Sequence, residues 1–504
     1  MLSRITGLVR VSVTAHYFGL KSDAADAIYS AFRIPNVLQN LLGEGALSGS
    51  FIPVYASLLA QGKRKEADRV AGAVGALLAL IVAGLVLIGI LAAPALTAIL
   101  APGFSGEKRE LTTRIVRIIF PGTGILVMGA WCLGILNSHR RFLLPYAAGV
   151  MMNVATVSAL VLFGKTSSLP QLAIYLAWGS VVGSLLQLGV QLPSVWRAAP
   201  DLKLALDFGS EHVRAICRNF VPVFISRGVV QLSAYIDSVL ASLLPTGAVA
   251  GLGNAQLLYT LPISLFGMSI SAAELPAMSG AAVAGDGLEV LRRRLNAGLR
   301  QIAFFVVPSS MGFLALGDVM AGALLETGRF THADSVYVWG ILAGSSVGLL
   351  ASTLARLYSS SYWALRDTRT PLRYAVIRVT LTTALGYVAA VYLPGWIGIS
   401  SEWGAAGLTA SAGVAGWVEM FLLRRTLTAR IGDTTIQGHY ILKLWLAAAA
   451  AAAVAWAVKL SIPAMHPILT AILVLGPYGI VYFAATLALR IPEASSALNR
   501  LRRK

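Results

Sequence analysis

Residues 70–100 read VAGAVGALLALIVAGLVLIGILAAPALTAIL, an unbroken run without a single charged side chain. About 20 apolar residues suffice to carry a helix across a hydrocarbon core. The run is continuous rather than alternating, which selects a helix over a barrel strand, the other element that can satisfy its backbone in lipid. Outward from this stretch, runs of the same kind recur to both ends of the 504-residue chain. Hydrophobic residues make up 57% and charged residues 12%, about half the charge of a soluble domain. The pattern predicts an all-α polytopic membrane protein of about fourteen transmembrane helices, among them spans at 2–19, 24–60, 68–100 and 214–243.

Charge tests that count independently. The net charge of +18 would suit nucleic acid only if it were gathered in one basic domain. Instead the Lys and Arg alternate between loops. With the N-terminus in the cytoplasm, 25 basic residues fall in inside loops and the tail (Lys63, Arg64, Lys65 and Arg69 in one loop, for example). Outside loops hold only six: Lys21, Lys108, Arg109, Lys165, Arg329 and Lys459. A wrong span count would scramble this alternation, so an even count with both termini cytoplasmic is expected. No nucleic-acid partner is expected, nor a cleavable leader, because residues 1–19 are weakly apolar and lack a small-residue cleavage site. Cys132 and Cys217 give neither a disulfide framework nor a metal site.

Two internal echoes organise the chain. Ile34-Pro35 through Ile52-Pro53 resembles Leu261-Pro262 through Leu275-Pro276, and Asn137 through Arg141 with Pro145 resembles Ser361 through Arg369 with Pro371. Each pair lies about six spans apart. The spacing predicts a six-helix bundle over 1–195, a cytoplasmic linker over 196–213, a second six-helix bundle over 214–430, and two further helices with a basic tail over 431–504. Repeats of this kind place a binding site at their interface in many transporters.

Nine basic residues remain inside or at the ends of spans, including Arg4, Arg10, Arg33, Arg227, Arg356 and Arg378. An Arg near the bilayer centre costs roughly 2.5–3.5 kcal/mol on insertion scales, so it faces protein or a wet cavity. Arg4 and Arg10 lie about 240° apart around their helix, and long side chains can still reach one lumen. The plainer alternative is snorkelling or pairing with carboxylates. Asp26, Glu44, Asp237 and Glu274 sit in apolar context too, Glu44 between Gly43 and Gly45. Asp237 is about 15 Å along the helix from Arg227, so each needs a partner elsewhere: a structural hydrogen bond, a cation or a substrate. Gly164-Lys165-Thr166 ends like a phosphate loop, but Ala159 breaks the pattern and no strand precedes it. No loop is long enough for an extramembrane catalytic domain, so no enzyme is expected.

Ser3-Arg4-Ile5-Thr6-Gly7-Leu8-Val9-Arg10 resembles the opening of the MurJ (MviN) family of bacterial lipid II flippases. So do Phe32-Arg33-Ile34-Pro35-Asn36, Gly43 through Ser48, Ala101-Pro102-Gly103-Phe104, Glu326 through Thr331, and Arg366 through Pro371. The resemblance implies the multidrug/oligosaccharidyl-lipid/polysaccharide exporter fold: two bundles facing a central cavity, with two extra helices forming a groove for the lipid tail. It implies flipping of lipid II from the cytoplasmic to the periplasmic leaflet of the inner membrane by alternating access. It also implies an undecaprenyl-linked anionic glycan as partner in the bilayer, and a single chain at work. Ser3, Arg4, Arg10, Asp26 and Glu44 fall on family functional positions and are the expected substrate-binding residues. Members usually carry further residues ahead of the Ser-Arg motif, so the chain is expected to start downstream of the usual beginning.

This sequence departs from the family pattern at Val11, at Gln39-Asn40 and at Gln256-Leu257, where charged residues are usual. Arg227, on the seventh span, is the expected replacement cation. Asp237, Glu274 and Thr382 are candidates for a gating or ion site. Some members bind sodium, and Asp237 matches one ligand; Thr382 and Gly386 occupy the matching positions on the eleventh span, which speaks against sodium coupling but leaves it open. No cofactor is expected. Two alternatives stand beside lipid II: a flippase for another polyprenyl-diphosphate glycan or amphiphile, suggested by the lost cations, and a membrane-embedded glycan transferase, which would need acid/base residues at an aqueous face.

Overall fold

The computed structural model describes the backbone of residues 2–40, 42, 46–207, 209–281 and 287–502. Within these it describes all side chains except those of 2–4, 34, 35, 37, 38, 40, 46, 48, 49, 221–234, 281, 497 and 499–502. All regular structure among the described residues is helical, as a chain that must close its own backbone hydrogen bonds in lipid requires. Among the described residues, eleven helices are long and apolar enough to cross a membrane. The three remaining expected spans coincide with helices as well, so fourteen crossings are compatible with the structure. The chain divides into two compact units, one formed by Met1–Ala250 with Thr327–Phe330, the other by Gly251–Glu326 with Thr331–Lys504.

The first unit contains α1 (Leu2–Phe18), α2 (Asp23–Asn40), α3 (Ala46–Ala60), α4 (Arg64–Leu91), α5 (Ala93–Leu100), α6 (Gly106–Ser138), α7 (Leu143–Phe163), α8 (Leu169–Ala198) and α9 (Glu211–Ser242). The span expected over 68–100 breaks at Ala92, with Pro94 in the first turn of α5; proline has no N–H to continue the ladder and suits a helix start. Its core gathers Phe51 and Tyr55 of α3, Val70 and Val74 of α4, and Trp131 and Ile135 of α6. Glycine sets the spacing. A Cβ on Gly72 would stand 2.0 Å from the Lys203 carbonyl oxygen of the linker, and one on Gly89 would stand 2.0 Å from the Phe120 ring. The buried Trp131 indole N–H donates to the Ala71 carbonyl at 3.1 Å, so the aromatic packs without stranding its polar atom.

The second unit begins within α10 (Ala248–Pro262), which passes through a wider turn into α11 (Ser269–Ala281). It continues with α12 (Gly287–Leu325), α13 (His332–Ala364), α14 (Arg369–Tyr387), the short α15 (Leu393–Trp396), α16 (Gly404–Ile431), α17 (Gly438–Ser461), α18 (Pro467–Ala488) and α19 (Pro492–Arg502). Helices α13 and α16 touch backbone to backbone: a Cβ on Gly348 would lie 2.3 Å from Gly413 Cα. Small residues permit such approach where lipid supplies no hydrophobic drive between helices.

Helix α12 carries Pro308 in its interior. Lacking an N–H, Pro308 strips the Phe304 carbonyl of its normal i+4 donor. The Tyr482 hydroxyl of α18 supplies the missing hydrogen at 2.6 Å. One turn on, the Tyr478 hydroxyl donates to the Pro308 carbonyl at 2.6 Å. Where α12 kinks at Leu316, the indole N–H of Trp456 on α17 donates to the Ala315 carbonyl at 2.8 Å. The last two long helices thus repair the weak points of α12, which fixes them to the second unit.

The second sequence echo has a backbone counterpart. Helices α6 and α13 both end on an arginine in the left-handed region, Arg140 and Arg366, each at φ 59°. In both, the following N–H returns to a carbonyl five residues back, Arg141 to Leu136 and Asp367 to Tyr362, each at 2.9 Å. This closes the helix end as a Schellman motif. Helix α18 ends the same way at Arg490. A cation there also complements the negative end of each helix.

Candidate functional site

Helix α2 carries an unusual stripe. Asp26, Tyr29, Ser30 and Arg33 recur at helical spacing, so one face of the helix is polar in an apolar setting. Asp26 and Ser30 are buried, while Arg33 is half-buried.

Asp26 closes a clasp at one end of this stripe. Its carboxylate accepts from Lys108 Nζ of α6 at 2.7 Å, from the Gly247 N–H at 2.9 Å and from the Ala250 N–H at 2.9 Å. The last two donors open α10, so the carboxylate caps that helix at its positive end. Gly247 sits at φ 101°, where a side chain would be strained. Asp23 joins through Lys108 at 3.4 Å and through the Thr246 hydroxyl at 3.0 Å. Lys108 in turn rests over the Phe104 ring at 4.4 Å. Three donors therefore occupy the Asp26 carboxylate in this conformation.

Two cations stand on α1 and α2. Arg10 on α1 is half-buried with Tyr29 of α2 near enough to interact electrostatically. Arg33 lies close to Asp237 of α9, and the Tyr235 hydroxyl donates to the Arg33 carbonyl at 2.7 Å. One guanidinium nitrogen, Nη1, is buried without a hydrogen bond. A buried guanidinium N–H without an acceptor is costly, and phosphate oxygens match its planar fork bidentately. The side chains of Ser3, Arg4 and Arg227, and the whole of Glu44, lie outside the described residues.

The segment Thr327–Phe330 belongs to this unit and latches the end of α1. His16 Nδ1 meets the Thr327 hydroxyl at 2.8 Å, and the Arg329 N–H donates to the His16 carbonyl at 2.9 Å. Gly328, at φ 57°, lets the two backbones meet.

In the second unit, Glu274 pairs with Arg294 at 3.3 Å. Thr382 is half-buried on α14, one turn from the buried Gly386. Sequence reasoning noted Arg356 and Arg378 as embedded cations but missed Glu419, their common partner. Arg378 Nε lies 3.0 Å from Glu419 Oε2, and Arg356 interacts electrostatically with both. A lone carboxylate in the apolar run 404–423 is the signal that could have found it. Asp318 was missed for the same reason; it is buried on α12 and pairs with Lys459 at the end of α17.

Comparison with known proteins adds the family. A family model described as lipid II flippase MurJ matches residues 14–488. The lipid II flippase MurJ of Burkholderia cenocepacia is 31% identical over 429 residues, covering 84% of this chain and 80% of that protein. Among solved structures, a lipid II flippase MurJ in an inward closed conformation superposes with a TM-score of 0.77 at 24% identity, covering 97% of each chain. An inward-facing multidrug resistance MATE family transporter of the MOP superfamily gives 0.67 at 18% identity, covering 85% of this chain and 94% of that one. The two structural likenesses carry the fold, and the sequence matches carry the kinship. This multi-pass membrane protein belongs to the lipid II flippase MurJ family.

Proposed function

We propose that this protein flips lipid II from the cytoplasmic to the periplasmic leaflet of the bacterial inner membrane by alternating access. Both termini lie in the cytoplasm, and the protein works as a single chain without a cofactor; sodium coupling stays open, with Thr382 and Gly386 speaking against it. The observation that carries the reading is the family match over residues 14–488. Chemistry supports it: an undecaprenyl tail can stay in oil throughout, while the pyrophosphate must pass where cations replace its water. Arg10 and Arg33 are such cations, held in apolar helices at a cost that only a paired anion offsets. A potential negative inside favours outward movement of an anion by about 2.3 kcal/mol per charge per 100 mV for a full crossing.

The test is a strain whose own flippase can be switched off while this chain is expressed. Growth should continue, with lipid II reaching the periplasmic leaflet. Arg10→Ala should abolish rescue at equal expression and Arg10→Lys should restore part of it. Loss of a charge-assisted contact of about 1.5–3 kcal/mol weakens head-group binding roughly ten- to a hundredfold. Lipid II trapped on the cytoplasmic side despite good expression would refute lipid II as cargo. The cargo would then be another polyprenyl-diphosphate glycan, the reading favoured by Gln39-Asn40 and Gln256-Leu257 standing where family members carry charges.

A further inference from the structure

We propose that a recess between α12, the turn before α17 and α17 itself holds the phosphate of an anionic phospholipid from the leaflet facing the basic tail. The recess has a volume of about 140 Å³ and is lined by Asn296, Arg300, Thr435, Ile436, Gln437 and Tyr440. It is far larger than the roughly 10–15 Å³ one water needs on the same measure.

Its lining suits a phosphate. The Arg300 guanidinium lies over the Tyr440 ring, 5.0 Å from its centroid, so its charge is held by packing. Its Nε lies 3.2 Å from Glu493 Oε1 yet makes no aligned hydrogen bond, although the atom is buried. Asn296 donates its amide to the Asp433 carbonyl at 3.2 Å. Beside them stands the start of α17, whose preceding residue Gln437 gives no side-chain cap. The first N–H groups of a helix attract anions. Asp433 keeps its negative charge at this turn, its carboxylate accepting from the Thr435 N–H at 2.9 Å, and Arg292, across Gly432 beside it, answers that charge.

Position supplies the lipid. Gly438 opens a 24-residue apolar helix, so the recess lies at the edge of the hydrocarbon layer. Exposed Leu442 and Leu446 continue upward from it and offer a surface to acyl chains. Arg292, Arg293, Arg294, Arg424 and Arg425 mark this edge as the basic one, and basic recesses between helices on that side recognise anionic head groups. All of its lining residues belong to the second unit.

Purified full-length protein in neutral detergent would be titrated with dioleoylphosphatidylglycerol, dioleoylphosphatidylcholine and inorganic phosphate, reading bound lipid by native mass spectrometry and stability by thermal unfolding. Phosphatidylglycerol should be retained and raise Tm, phosphatidylcholine much less, and inorganic phosphate not at all. Arg300→Gln and Gln437→Glu should each lower retention of phosphatidylglycerol about tenfold. Gln437 is exposed, so its variant decides the matter if Arg300→Gln does not fold. Unchanged retention in Gln437→Glu would overturn the proposal. Equal stabilisation by inorganic phosphate would overturn it too, by showing a site for soluble phosphate.

Discussion

At the scale of single residues, two aspartates show how one side chain type is used in different surroundings. Asp367 lies between α13 and α14. One oxygen accepts the N–H groups of Arg369 and Thr370 at 3.1 and 3.0 Å; the other accepts the Thr370 hydroxyl and Arg430, both at 2.7 Å. These bonds, led by the Thr370 N–H, push its pKa down to about 2. A carboxyl whose pKa is lower in the folded state contributes stability above its ordinary value, and that contribution fades as pH falls from about 3.8 toward 2. Asp367→Asn should therefore lower the stability of detergent-solubilised protein at pH 7 by about 1.5 kcal/mol, the low end for bonds to a charged group, because Arg430 is half exposed. Thermal unfolding at pH 7, 4 and 2.5 should show the gap between variant and wild type closing at the acid end. A gap independent of pH would mean that the charge contributes nothing. Asp26 differs in kind, since it is buried and answered by Lys108 and two backbone donors from more than 200 residues away. In the sequence Asp26 stands out as a charge in apolar context, but nothing local announces its partners. Asp367 looked like part of a loop motif, and its capping role was legible only as Asp-Thr-Arg-Thr-Pro ahead of an apolar run.

At the scale of elements, positions of helices were legible and their mutual repairs were not. Apolar runs locate spans because lipid imposes length and composition on each one separately. The join between α12 and α18 follows a different logic. Pro308 and Tyr482 are far apart in sequence, and a tyrosine that donates to a stranded carbonyl has the same local pattern as one that faces lipid. Their relation gives a sharp expectation. Tyr482→Phe removes the hydroxyl donor that answers the Phe304 carbonyl, and should cost about 1–3 kcal/mol through the unsatisfied group. Pro308→Ala restores the N–H that α12 lacks there, so in that background Tyr482→Phe should cost well under half as much. A double-mutant cycle on thermal stability measures the difference directly. Equal costs in both backgrounds would show that the hydroxyl does not answer the proline. The same reasoning explains why the last two helices read in sequence as an appendix: their apolar runs are ordinary, and what binds them to α12 is a few polar atoms.

At the scale of the whole molecule, charge asymmetry supports the proposed orientation of the chain in the membrane, with its basic loops in the cytoplasm. Loops and tail on one side hold 25 Lys and Arg against six on the other, and short loops rich in cations resist translocation. Each loop alone is weak evidence, but every inside loop and the tail from Lys63 to Lys504 holds at least two cations, and no outside loop holds more than two. The proposed orientation would put each helix end closed by Arg140, Arg366 and Arg490 toward the cytoplasm. The arrangement predicts the labelling of introduced cysteines. In a background with Cys132 and Cys217 replaced, Thr166→Cys, in an exposed turn after α7, should react in intact cells with a thiol reagent that cannot cross membranes. Gln61→Cys, exposed ahead of α4, should react only once the membrane is permeabilised. The reverse pattern would place the basic loops outside, and an anionic head group moving from the basic side would then travel inward, against the need of a cell that builds its wall outside the membrane. Neutralising Lys63, Arg64, Lys65 and Arg69 together should leave Gln61→Cys protected if the remaining loops suffice to hold the orientation. Partial labelling there would show that this first loop dominates it.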